Sequence, residues 1–238
     1  MTIDKVNPIT VNRDERHRQL RAAEIKAQQL FAEVENRKLV RPGISENALN
    51  TEVYRLAFEL FGVKKHWHKR IVRAGANTLY PYRENPPNRM LEVDDIVFFD
   101  FGPVFEEWEA DLGRTYVLGN DPAKVRIRQD VERAWYFAKT HFASTPAITG
   151  AGLHQYIMEL TRSWGWEYPQ QHCGHLIGNF PHEKLHGEDR ENYIHPDNQT
   201  QMRDPDRHGN PRVWILEIHF VDRPRQIGGF FEQLLNVD

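Results

Sequence analysis

Asp95-Ile96-Val97-Phe98-Phe99-Asp100-Phe101-Gly102 sets a carboxylate inside a run of aromatic and β-branched side chains. Such content predicts a buried strand. An ionised carboxylate there is costly unless a partner or a metal compensates it. The same conflict recurs downstream. Glu217 sits within Val213-Trp214-Ile215-Leu216-Glu217-Ile218-His219-Phe220-Val221, and Glu232 follows Phe230-Phe231 and precedes Leu234-Leu235. Any one of these could face water from an alternating strand, but together they call for a counter-charge. Asp111 joins the set through geometry. A turn near Pro103 returns the chain through Trp108 to a strand at Thr115-Tyr116-Val117-Leu118, a hairpin that can bring Asp100 and Asp111 side by side. The runs at 213–221 and 229–237 read as a second hairpin, pairing Glu217 with Glu232. Carboxylates at contact distance repel, and a shared cation is the common solution. His175 completes the set from His172-Cys173-Gly174-His175-Leu176-Ile177-Gly178, where the glycines permit close backbone approach. Oxygen donors with one imidazole suit Mn, Fe, Co or Zn and resemble no zinc finger.

Outward from these strands the reading is mixed. Residues 13–38 carry Leu20, Ala23, Ala27, Leu30 and Val34 at three- and four-residue spacings, which predicts a charged amphipathic helix. Arg41-Pro42-Gly43 ends it. Ser45 is an N-cap for a second helix through Leu49, Val53, Leu56 and Leu60, closed by Gly62. Lys69-Arg70-Ile71-Val72-Arg73 reads as a strand, with a turn at Gly75-Ala76-Asn77 and a proline-rich loop over 81–89. Residues 124–143 and 150–164 read as two further helices. Helices and mostly antiparallel strands in separate blocks predict an α+β fold.

The bulk numbers exclude several classes. With 238 residues, 39% hydrophobic and 27% charged, the chain can bury one sizeable core. A net charge of -3 offers no electrostatic case for nucleic acid or an anionic membrane. The first eleven residues carry Asp4 and Lys5 and lack the apolar core of a signal peptide, and no stretch approaches the ~20 apolar residues of a membrane span. The one cysteine, Cys173, rules out an internal disulfide and is expected to be buried as a small apolar residue. A cytoplasmic location fits. Six of the twelve histidines fall between residues 172 and 208.

At these residues the sequence resembles the creatinase, prolidase and methionine aminopeptidase superfamily. The matching elements are Asp100-Phe101-Gly102, Asp111-Leu112-Gly113-Arg114-Thr115, Gly174-His175-Leu176-Ile177-Gly178, Pro181-His182-Glu183, Glu217 and Phe231-Glu232, with Arg41-Pro42-Gly43-Ile44-Ser45-Glu46 and Gly75-Ala76-Asn77-Thr78 upstream. The resemblance covers roughly residues 15–238. It implies the pita-bread fold, a curved, mostly antiparallel sheet covered by helices, and two divalent ions per chain. Asp111 and Glu232 would bridge the ions, Asp100 would bind one, and His175 with Glu217 the other. It further implies hydrolysis of an amide or peptide bond in a small substrate, with Glu217 moving the proton and His182 meeting the substrate carbonyl. A homodimer is compatible with it. A creatinase-like hydrolysis of a non-peptide C–N bond and a non-catalytic binding member stay open as alternatives, although the full ligand set counts against a metal-free site.

Three departures bear on substrate. Pro81 is followed by Tyr82 where the family often has a histidine, and Phe230 stands where prolidase-like members have an arginine. Tyr82, His182 and Phe230 are thus the expected substrate contacts, with Arg83, Arg114 and Arg223 as candidate cations. A single catalytic domain is expected over 1–238, with 1–12 as an extension and no separate N-terminal domain. Together these features shift the expected substrate away from ordinary Xaa-Pro dipeptides, toward a small amide or modified amino acid with an apolar portion.

Overall fold

The computed structural model describes residues 13–179, 189–206 and 209–237. The first block is a pair of helices, α1 (Arg13–Asn36) and α2 (Glu46–Phe61). Ser45 caps α2 by accepting from the Ala48 amide, and Gly62 closes it in the left-handed region at φ 67, as the sequence predicts. β1 (Ile71–Ala74) follows, and the glycine-asparagine turn is a 3₁₀ turn over Gly75–Leu79. β2 (Ile96–Phe101) leads into a small hairpin of β3 (Val104–Phe105) and β4 (Trp108–Glu109), then β5 (Leu112–Val117). That inserted hairpin replaces the simple turn expected near Pro103 and starts β5 three residues earlier than read from sequence. The helices α3 (Pro122–Ser144) and α4 (Gly150–Ser163) precede the closing hairpin of β6 (Ile215–Asp222) and β7 (Ile227–Leu234).

The five long strands form one curled antiparallel sheet in the order β1-β2-β5-β7-β6. Side chains alternate across it. Val97, Phe99 and Phe101 pack outward on α1 and α2 with Phe31, Leu49 and Val53. Leu216, Ile218, Phe220 and Phe231 pack outward on α3 and α4 with Val131, Trp135 and Ile157. The carboxylate-bearing positions therefore share the other face. The α+β expectation and the curved sheet covered by helices are what the structure has.

Candidate metal centre

Register builds the site. Asp100 lies opposite Gly113, Gly113 opposite Glu232, and Glu232 opposite Glu217. One row thus crosses β2, β5, β7 and β6 and carries three carboxylates. Asp111 precedes β5 by one residue and lies two positions from Gly113, a diagonal neighbour of Asp100 on the same face. All four carboxylates are buried, at 8%, 3%, 6% and 2% exposure for Asp100, Asp111, Glu217 and Glu232. These are the residues that the sequence marks as needing compensation.

His175 arrives from outside the named strands. Its segment pairs along β6, with the His175 amide donating to the Ile215 carbonyl at 3.2 Å and the Glu217 amide to the Cys173 carbonyl at 3.0 Å. Gly174 makes this approach feasible: its φ is 140, and a Cβ there would stand 2.0 Å from the Ile215 carbonyl oxygen. The imidazole Nε2 lies 3.2 Å from Asp111 Oδ2, while Nδ1 contacts the Leu176 carbonyl at 2.9 Å. Cys173 is fully buried, and burial pushes its thiol pKa up. A buried thiol raised in this way is disfavoured as the thiolate a nucleophile needs.

His68, which the sequence reading passes over, joins the cluster. The chain before it pairs with the end of β2: the Trp67 amide donates to the Gly102 carbonyl at 2.9 Å and the Val104 amide to the Lys65 carbonyl at 3.0 Å. The Trp67 indole nitrogen donates to the Ala110 carbonyl at 2.9 Å. His68 Nε2 thereby comes to 3.1 Å from Asp111 Oδ1 and 3.5 Å from Asp100 Oδ1. Donor atoms of His68, Asp100 and Asp111 all lie within 4.8 Å of one another, as do those of Asp111, His175 and Glu232. Asp111 belongs to both groups. Glu217 belongs to neither, and its Oε1 is instead 3.1 Å from His172 Nδ1, outside hydrogen-bond alignment.

The mutual electrostatics follow from burial and proximity. Burial, then repulsion from Asp111 and Glu217, raises Asp100 to about 7. Burial would raise Asp111 too, but His68 and His175 draw it down to about 2. Glu232 is driven well up by burial and by Asp111 and Asp100. Burial opposes a charge on His68, yet Asp111 and Asp100 hold it up at about 9; His175 is raised in the same way against its burial. Among the described residues Glu232 Oε2 is buried without a hydrogen-bond partner. A buried, orphaned carboxylate oxygen beside like charges fits a cation, and oxygen donors with imidazole suit a divalent ion of the Mn to Zn series.

The expected substrate residues are spread out. Tyr82 is 38% exposed. Its hydroxyl accepts from the Lys69 amide at 3.4 Å, its ring lies 5.8 Å from that of His68, and the Lys69 ammonium sits 4.6 Å from its centroid. Phe230 is 3% exposed, packed on Phe98 and His219 as the floor beside Gly113. His182 and its neighbours Pro181 and Glu183 lie outside the described residues. Arg114 points to the opposite face, donating to the Glu232 carbonyl and Gln233 and stacking 4.0 Å over Phe231, and Arg223 pairs with Glu167. Arg83 lends its charge to the surroundings of Tyr193, and Lys69 is a cation over the Tyr82 ring that the sequence does not single out.

A family model described as metallopeptidase family M24 matches residues 18–233. Xaa-Pro dipeptidases of Lactobacillus delbrueckii subsp. lactis and Lactobacillus helveticus are 29% and 28% identical over 146 residues, or 60% of this chain and 39% of each relative. The aligned part is thus about two-fifths of those relatives' length. Among solved structures, a Thermococcus sibiricus prolidase is similar at TM-score 0.75 and 20% identity, over 96% of this chain and 58% of that one. A methionine aminopeptidase of Thermotoga maritima is similar at TM-score 0.68 and 17% identity, over 95% and 94% of the two chains. At such identities the likeness is one of fold.

Proposed function

Because this chain belongs to metallopeptidase family M24 and has its pita-bread fold, we propose that it is a dinuclear metal-dependent hydrolase of an amide or peptide bond in a small substrate. The observation that carries the reading is the row of buried carboxylates closed by His175, with Asp111 shared between two donor groups. Asp100, Asp111, His175, Glu217 and Glu232 would hold the ions, with Asp111 common to both donor groups and Glu217 at their edge. Mn, Co, Fe or Zn would fill such a site. Bound ions would polarise the scissile carbonyl and lower the pKa of a water at the site.

The chain's own residues supply the rest. Glu217 lies at the edge of the donor set with His172 beside it, placed to take a proton from the attacking water and deliver it to the leaving amine. His182, by the resemblance, would steady the negative charge that develops on the carbonyl oxygen. Tyr82 lies beside His68 with the Lys69 ammonium over its ring, offering an apolar face, a phenol and a positive charge to the substrate. Phe230 lends an apolar floor in place of a fixed cation. This set favours a small peptide or amide with an apolar portion over ordinary Xaa-Pro dipeptides.

The test is a steady-state panel of Xaa-Pro dipeptides, Xaa-Xaa peptides and non-peptide amides, run on protein reconstituted with each of the four metals. Metal-dependent hydrolysis is expected, with kcat/KM on Xaa-Pro dipeptides below about 10⁴ M⁻¹s⁻¹. Efficient Xaa-Pro cleavage overturns the substrate shift, and hydrolysis of nothing on the panel overturns the reading itself.

A further inference from the structure

His68 and His175 are built alike around Asp111. Each ring has Nδ1 against the carbonyl of the residue that follows it, Lys69 at 2.8 Å and Leu176 at 2.9 Å. An Nδ1–H donated to a carbonyl fixes the tautomer, so that a metal displacing the Nε2 proton shared with Asp111 would find the Nε2 lone pair aimed at it, the arrangement in which imidazole binds a metal. Each Nε2 then faces a different oxygen of the same carboxylate, His68 toward Oδ1 at 3.1 Å and His175 toward Oδ2 at 3.2 Å. His68 Nε2 is also 3.5 Å from Asp100 Oδ1. Two ligands held about 2.1 Å from one cation at right angles stand about 3 Å apart. The contacts around His68 therefore have the spacing of neighbouring ligands.

The surroundings hold that ring in place. Its side chain is 7% exposed, so the ring is largely screened from bulk solvent. Gly102 lies under it: a Cβ there would stand 2.2 Å from His68 Cδ2 and 2.4 Å from Nε2. The Trp67 ring, pinned through its hydrogen bond to Ala110, sits edge-on to both imidazoles, at 4.5 Å and 5.3 Å.

We propose that His68 is a sixth ligand of the centre, an imidazole on the Asp100 side that mirrors His175 on the Glu232 side. The inference rests on the metal-centre reading above. It gives each ion one nitrogen, where the five-residue set gives nitrogen to only one of them, and nitrogen donors favour Fe, Co and Zn over Mn. It also supplies a role for a strand-edge segment that carries neither a carboxylate nor a catalytic group of the resemblance.

X-ray absorption of the zinc-loaded chain reads the number of imidazoles directly from their outer-shell scattering. Wild type is expected to show two imidazoles per pair of ions. His68→Gln and His175→Gln should each show one, with the ion on the affected side lost to a chelator about 10–100 times more readily. A single imidazole per pair in wild type overturns the inference and leaves the metal-centre reading standing, as does an unchanged spectrum in His68→Gln. Wild type that takes up no zinc overturns both. Should His68→Gln fail to fold, the wild-type count decides alone.

Discussion

Asp111 is the residue on which the site turns. Each of its oxygens meets an imidazole, and it is the one side chain common to both donor groups. Replacing it with Asn removes the charge and one oxygen donor at the point where two cations would meet. Asp111→Asn is therefore expected to lose metal retention and turnover together, and Glu232→Gln likewise. Glu217→Gln, outside both groups, should lose turnover while keeping more of its metal. Titration of the three variants with Mn²⁺ checks this order, and full metal retention in Asp111→Asn contradicts the assignment. At this scale the sequence is legible where a residue type conflicts with its neighbours. Asp100, Glu217 and Glu232 stand out because carboxylates do not belong in apolar strands. His68 does not stand out, because His66-Trp67-His68 reads as an unremarkable polar-aromatic stretch. Only pairing of its segment with Gly102 and Val104 reveals its destination. His66, two residues away, turns instead to Tyr54 and Phe101.

Elements are legible in the sequence where their ends carry chemistry. Ser45 and Gly62 mark α2 to the residue, while the ends of β6 and β7 shift because a tight turn at 223–226, with Gln226 at φ 55, starts β7 two residues before the position read from sequence. The inserted β3–β4 hairpin was illegible, since two-residue strands leave no periodicity. One buried group ties these elements together. Glu46, in the first turn of α2, accepts from the Ala74 amide at 2.7 Å, from the Asn77 side chain at 3.0 Å and from the Arg89 amide at 3.2 Å. It thus fastens the helix to β1, to the 3₁₀ turn and to the loop carrying Tyr82. Glu46→Ala leaves buried donors unmet, each costing about 1–3 kcal/mol. Ser45→Ala loses a cap worth about 1 kcal/mol. Chemical denaturation should rank Glu46→Ala as clearly the more destabilised. Equal stability of the two variants would show that the Glu46 contacts do not hold the elements together.

Across the whole molecule the buried cluster links stability to pH and to metal. In metal-depleted protein, the Asp100 contribution is full below its ordinary 3.8 and is lost as pH rises through about 7. That of His68 is full below 6.5 and is lost as pH rises through about 9. Glu232, also raised, acts in the same direction. Asp111, lowered to about 2 from 3.8, works oppositely, but its window lies in acid. His66 and His219, held down to about 3 and about 4 by burial, also work oppositely, but their gain is nearly complete above about pH 7. Depleted protein should therefore melt lower at about pH 9 than at about pH 7, and added metal should raise Tm more at the higher pH, because the cations favour the ionised carboxylates. A metal-induced shift that shrinks as pH rises would contradict this. The fold class and the buried carboxylate row are legible in the sequence because both follow from burial and register. Tyr82 and Phe230 also stand out in the sequence, but Lys69 does not, since its place over the Tyr82 ring comes from the fold of the intervening loop. The most direct test of the central claim is elemental analysis of the purified chain after Mn²⁺ reconstitution and removal of free ions. About two ions per chain are expected, and a chain that retains none contradicts the account.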